Sequence, residues 1–172
     1  MNLSDAINLI KDANIDQNQA LVWTDLGCGT GLFTQALTHI LPAQSTIFAI
    51  DKTAQVIEQV VDKPVKIEFL QADFAVQELI LPPLNGVLMA NSLHYIAEKE
   101  AFLQRLQKLF NGPGAFIIIE YDTMQANPWI PYPIDFNHLQ DLFTRLGFKN
   151  IIKLGERPSI YGSRNIYATY IF

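Results

Sequence analysis

The sequence predicts a doubly wound α/β domain: a mostly parallel sheet with helices on both faces and an antiparallel last strand. Three observations point there. Short apolar runs alternate with stretches of helical periodicity along the chain. Several of those runs are nearly continuous in apolar residues, as strands covered on both faces are. The final two strand-like runs lie too close together for a crossover helix, so they pair antiparallel.

The strands come in order. "ALVWTDL" (Ala20–Leu26), "TIFAID" (Thr46–Asp51), "VKIEFLQAD" (Val65–Asp73), "GVLMAN" (Gly86–Asn91) and "AFIIIEY" (Ala115–Tyr121) are the parallel set. "NIIKLG" and "NIYATYIF" form the closing pair, joined by "ERPSIYGSR". Between them, Leu32, Phe33, Ala36, Leu37, Ile40 and Leu41 recur at helical spacing, with Pro42 closing that helix. Phe102, Leu103, Leu106, Leu109 and Phe110 form a second stripe before the stop "NGPG". Phe136, Leu139, Leu142, Phe143 and Leu146 form a third, ended by Gly147. Thr53–Val61 carries a weaker helical pattern, and a short first helix begins near Ser4, its expected cap.

At 172 residues, 49% hydrophobic and 17% charged, the chain (1–172) is expected to form a single packed domain. A net charge of −5 argues against a sequence-independent grip on nucleic acid. No apolar run approaches the roughly 20 residues of a membrane span. The first residues carry Asp5 and no basic cluster, unlike a secretion signal. The one cysteine, Cys28, excludes an internal disulfide and any multi-cysteine metal site, so a cytoplasmic protein with no metal is expected.

The chemistry concentrates in "DLGCGTG", Asp25–Gly31, at the first strand-to-helix turn. In doubly wound sheets this is where ligands bind, outside the carboxyl ends of the strands. Glycine there permits positive φ and lets a ligand approach bare backbone. The dinucleotide fingerprint is G-x-G-x-x-G, but position 32 is Leu and the third glycine comes one residue early. No Lys-Ser/Thr pair follows for a phosphate loop. Asp25, at the mouth of the loop, suits a ligand bearing an ammonium group better than a pyrophosphate. Asp51 ends the second strand, where a carboxylate accepts from ribose hydroxyls. Asp73 ends the third beside Phe74, fit for an adenine amine and its ring.

"DLGCGTG", "AIDK", "QADF" and "NSLHYI", in this order, resemble the successive motifs of the class I S-adenosylmethionine-dependent methyltransferases. The resemblance spans the chain from about residue 20 to Phe172. It implies a Rossmann-like methyltransferase fold with a seven-stranded sheet and an antiparallel last strand. It also implies S-adenosyl-L-methionine as cofactor. Asp25, Gly27, Cys28, Gly29 and Gly31 would then hold the methionine end. Asp51, with Lys52 beside it, would take the ribose, Asp73 and Phe74 the adenine, and the backbone near Asn91 and Ser92 the ammonium group.

For the acceptor the residues say less. His94 and Tyr121 are the candidate catalytic groups; His94 acts either as a base or as an imidazole that shapes the pocket. Tyr95, Trp129 and Tyr132 are the candidate substrate contacts. Trp129, in "YDTMQANPWIPYPIDF", either walls an apolar acceptor pocket between "NSLHYI" and "NPWIPYP" or pins the loop by being buried. Arg157, Tyr161 and Arg164 could reach the same mouth or be merely solvated. The absence of Asn-Pro-Pro-Tyr after the fourth strand, and of cysteines outside the loop, disfavours nucleic-acid and arsenic acceptors. A small-molecule acceptor and a monomer or homodimer are expected. Two other readings stay open: a non-catalytic cofactor-binding module acting with a protein partner, and a nicotinamide-dependent oxidoreductase.

Overall fold

A computed structural model describes residues 1–59, 64–159 and 164–172. Its elements run α1 (Leu3–Ile10), β1 (Val22–Leu26), α2 (Leu32–Thr38), β2 (Thr46–Asp51), β3 (Lys66–Gln71) and β4 (Leu84–Ala90). After a single 3₁₀ turn at Leu93–Tyr95 come α3 (Lys99–Gln107), β5 (Phe110–Tyr121), α4 (Phe136–Arg145), β6 (Ile151–Pro158) and β7 (Asn165–Ile171). The strands form one seven-stranded sheet in the order β3-β2-β1-β4-β5-β7-β6. All neighbours are parallel except β7, which is antiparallel to β5 on one side and to β6 on the other. The predicted fold class is the observed one.

Period-two alternation sends successive side chains to opposite faces of the sheet. Ile117 and Ile119 of β5 join a core with Leu9, Ile10, Phe33 and Leu37 of α1 and α2. Phe116 and Ile118 face the other way, into a core with Leu103, Leu106, Leu139 and Phe143 of α3 and α4. The helix stripes are thus what the two faces bury. Gly147, with φ 93°, ends the α4 segment as the left-handed residue that follows a helix.

Several local expectations change. α1 is capped by Asn2, not Ser4: the Asn2 side chain accepts from the Asp5 N–H, and Asp5 accepts from the Asn2 N–H. α2 ends at Thr38, a turn before Pro42. "NGPG" is no stop but lies within β5, opposite a bulge at Leu84/Gly86. "NIIKLG" continues through Glu156, Arg157 and Pro158.

The largest change is Thr53–Val61, where residues 53–59 form no helix and Val60 and Val61 lie outside the described residues. Its reason is the sheet edge. The Gln59 amide donates to the Ile67 carbonyl (2.7 Å) and accepts from the Ile67 N–H (3.1 Å). This side chain satisfies the outer edge of β3, which among the described residues has no strand beyond it.

Among the described residues no helix is long and apolar enough to cross a membrane.

Candidate active site

The turn from β1 into α2 puts all three loop glycines at positive φ: 79° at Gly27, 50° at Gly29 and 86° at Gly31. What excludes side chains differs among them. A Cβ on Gly27 would lie 2.6 Å from the Ser92 Cβ, and one on Gly31 would lie 2.7 Å from Ile57. At Gly29 nothing lies within 4 Å, so this is where the loop faces open space. The loop amides are largely committed. Gly27 and Cys28 both donate to the Ile50 carbonyl, Gly31 to the Cys28 carbonyl, and Gly29 to Asp51 Oδ2 (3.0 Å).

Asp25 sits beneath the loop rather than at its mouth: the residue is wholly buried. Its Oδ2 accepts from the Thr34 hydroxyl at 2.6 Å, while the buried Oδ1 has no partner. Burial pushes its carboxyl up to about 7, the Thr34 bond opposes this, and the charge of Asp51 adds to it. Asp51 is partly exposed at the end of β2, and its Oδ1 also accepts from the Thr53 N–H (2.9 Å). Lys52 beside it is exposed, its carbonyl taken by Gln71. Cys28 is buried, which raises its thiol to about 12 and leaves it inert as a nucleophile.

Asp73 closes a turn after β3, accepting from the Ala75 N–H, and Phe74 tilts against Phe102 at 5.9 Å. An edge carbon of Phe74 lies 3.4 Å from the Cβ position of Gly27, so this ring borders the glycine loop. Ser92, buried beside it, donates to the Leu26 carbonyl at 2.6 Å. Asn91 turns the chain out of β4 at φ 53°, with its Oδ1 buried and unpartnered. The cofactor candidates thus converge on the ends of β1, β2, β3 and β4.

His94 is 2% exposed and bonded to a residue outside the predicted set. Its Nδ1 lies 2.7 Å from Glu120 Oε2, and its backbone N–H donates to Glu120 Oε1 at 3.0 Å. Glu120 carries a visible signal: it is the lone charge in the apolar run of β5, and a buried carboxylate requires partners. Thr34 and Ile57 give no comparable sign, since both act through the folded turn.

"NSLHYI" and "NPWIPYP" are joined directly by hydrogen bonds. The Tyr132 N–H donates to the His94 carbonyl (3.0 Å), and Lys99 bonds the Ile96 and Tyr132 carbonyls (2.8 and 2.6 Å). Trp129 does not pin this loop, being 77% exposed; Thr123, Ile130 and Ile134 are the buried ones. Tyr95 and Tyr132 are exposed as well.

One cleft among the described residues lies on the face covered by α1 and α2 and reaches the candidate residues Asn91 and Tyr121. About 140 Å³ in volume, it is lined by Leu32, Phe33, Asn91, Tyr121, Arg157 and Ile166 among others. Tyr121 lines it, with His94 behind at a ring distance of 6.2 Å; Tyr95, Trp129 and Tyr132 do not line it. Arg157 Nη1 pairs with Asp5 Oδ2 at 3.0 Å. Arg164 bonds Gln125, and Tyr161 lies outside the described residues.

The family model described as "Methyltransferase domain" matches residues 17–155. No curated protein matches the chain in sequence. Among solved structures it is similar to the 1,6-didemethyltoxoflavin-N1-methyltransferase of Burkholderia thailandensis, which holds its didemethyltoxoflavin ligand and S-adenosylhomocysteine. There, 17% of residues are identical over 98% of this chain and 76% of that one, with a TM-score of 0.71. A SAM-dependent methyltransferase from Leishmania major gives 15% identity over 97% of this chain and 71% of that one, TM-score 0.67. A magnesium protoporphyrin IX methyltransferase from Synechocystis with bound S-adenosylhomocysteine gives 14% over 98% and 81%, TM-score 0.65. At such identities these likenesses speak for the fold; the family match spans most of the sequence, and the chain belongs to the methyltransferase domain family, with the fold of the class I S-adenosylmethionine-dependent enzymes.

Proposed function

We infer that this methyltransferase uses S-adenosyl-L-methionine, held over the glycine loop, and methylates a small organic molecule. The carrying observation is the electrostatic character of the loop. A pyrophosphate needs free amides and positive charge at the turn. Here Gly27, Cys28, Gly29 and Gly31 already donate their N–H groups to protein acceptors. The side chain that takes the Gly29 amide is the carboxylate of Asp51, and the carboxyl beneath the turn is Asp25. Such a turn disfavours a nicotinamide dinucleotide and favours a cation.

The residues present fit the cofactor. Asp51 keeps lone pairs for ribose hydroxyls beyond its two amide bonds, and Asp73 and Phe74 stand where the adenine would lie. The unpartnered oxygens of Asp25 and Asn91 are acceptors for an ammonium group or a water bound to it. Bound there, S-adenosylmethionine supplies a methyl group already activated by its positive sulfur. The protein's share is then proximity and alignment. Asn91 and Tyr121 orient the acceptor at the strand ends. The buried His94–Glu120 pair acts behind them, holding the β4 exit against β5. The acidic net charge disfavours a nucleic-acid acceptor.

Thermal melts with S-adenosylhomocysteine and with reduced nicotinamide dinucleotide test the cofactor. At a hundredfold excess over Kd a ligand adds about 2.7 kcal/mol, or roughly 5–11 °C in a domain of this size. A shift with the dinucleotide and none with the homocysteine compound overturns the reading. Methyl-labelled cofactor offered with a panel of small acceptors then tests transfer.

A further inference from the structure

We propose that the cleft at the ends of β4, β5, β7 and β6 binds the acidic group of a small carboxylic acid through Arg157. This acid would be the methyl acceptor, and that part of the proposal rests on the function inferred above.

The cleft is assembled by the strand order. Tyr121 of β5 is level with Ile166 of β7, and Ile166 is level with Arg157 of β6. Asn91 joins the row because its N–H bonds the Ile119 carbonyl of β5 (2.8 Å). Leu32 and Phe33, the first residues of α2, close the other side, directly after Gly31. The cleft therefore adjoins the glycine loop. Its walls are mainly apolar with a few polar groups, the composition of a small-molecule site.

Charge is divided unevenly along this edge. The strand ends β1, β2 and β3 carry Asp25, Asp51 and Asp73, with Lys52 exposed beside Asp51, whereas among the described residues the cleft is lined by Arg157 and Met1 and by no carboxylate. An acid entering here is repelled from the loop side and drawn to the β6 side, which fixes which end faces the cofactor. Asn91 is a polar residue of the same lining, and its buried Oδ1 has no donor among the described residues.

The present partner of Arg157 is exchangeable. Asp5 Oδ2 also accepts from the Asn2 N–H, so its carboxylate stays engaged in the α1 cap without the arginine. Both side chains of the pair are about a third exposed (31% and 36%), and an ion pair that open to water contributes little. A carboxylate able to take the planar guanidinium in two bonds competes well against it.

The probes are para-aminobenzoate and para-aminobenzamide, titrated calorimetrically into the full chain with and without saturating S-adenosylhomocysteine. The acid should bind about tenfold or more tightly than the amide, the scale of a charge-assisted bond. Arg157→Gln should abolish that preference while leaving S-adenosylhomocysteine affinity unchanged. Asp5→Asn, which keeps a capping oxygen, should strengthen the acid. Equal binding of acid and amide, binding of neither, or a preference surviving Arg157→Gln overturns the site. If Arg157→Gln weakens S-adenosylhomocysteine instead of the acid, Arg157 serves the cofactor and the acceptor assignment falls. Failure of S-adenosylhomocysteine to bind refutes the cofactor reading alone, since the acid preference is still read on the unliganded chain. Circular dichroism of each variant controls for folding.

Discussion

Two loops leave the carboxyl edge of the sheet with opposite internal support. The turn after β1 is built inward: its amides bond to Ile50 and Asp51, Ser92 and Ile57 fill the space beside its glycines, and Asp25 lies wholly buried below. The longer loop after β5 is held by buried Thr123, Ile130 and Ile134 and by polar bonds from Lys99, Arg164 and its own Asn127. Asn127 Oδ1 accepts from the Trp129 and Ile130 N–H groups, and the Ile134 carbonyl takes the Tyr167 hydroxyl. Its aromatic side chains, Trp129 and Tyr132, are left outside. Unusual residues in the first loop are therefore demanded by packing. In the second, packing asks nothing of them.

The sharpest way to break this contrast is Gly27→Ala against Gly29→Ala. Left-handed backbone costs an alanine about 1–2 kcal/mol, and forced overpacking adds roughly 1–3 kcal/mol. Gly27→Ala suffers both, because Ser92 stands at 2.6 Å, and should melt well below the parent. Gly29→Ala suffers the first alone. Its loss should appear mainly as weaker S-adenosylhomocysteine binding; equal melting losses in the two variants would refute an inward-built loop.

Asp25 gives the next largest effect, through pH. Its folded pKa of about 7 stands above the ordinary 3.8, so between these values the native state holds a proton the unfolded chain has shed. Stability from this group is therefore lost as pH rises from about 4 to 7, and the loss is complete above that. At about 1.4 kcal/mol per unit the cost is on the order of 4 kcal/mol. Asp25→Asn should remove this decline and make the unliganded protein more stable than the parent at pH 8. Denaturant melts of both across the range check it, and parallel curves would refute it.

Asp51→Ala should follow, reducing S-adenosylhomocysteine affinity roughly ten- to hundredfold by calorimetry. The smallest effect belongs to the other loop. Trp129→Ala should change stability by less than about 0.5 kcal/mol, as exposed substitutions do. A larger loss in a thermal melt would mean that the indole is held in solution.

Strand positions were legible in the sequence because burial on both faces leaves continuous apolar runs, and β7's direction followed from a connection too short to cross over. The glycine loop and its carboxylates were legible because they are local. What escaped depends on distant partners. Gln59 bonds Ile67 on the neighbouring strand edge, and no periodicity within residues 53–61 encodes that. Glu120 meets His94 only when β5 pairs with β4. Arg157 reached the candidate cleft because β6 runs through the residues read as a connection. Whether Trp129 is buried is not encoded locally: of the two readings its residues allow, the fold leaves the indole exposed.

The position of β7 has a consequence for synthesis. This strand follows β6 in the chain yet stands between β5 and β6, so that among the described strands β6 meets the sheet through it. β1 to β4, with the glycine loop, leave the ribosome before β7 and adjoin one another in the sheet. Arg157 is translated earlier than β7 yet has no place in the sheet until residues 165–171 arrive. A nascent chain stalled just short of them would display a cofactor shelf beside a dangling β6, half an enzyme waiting for its final strand.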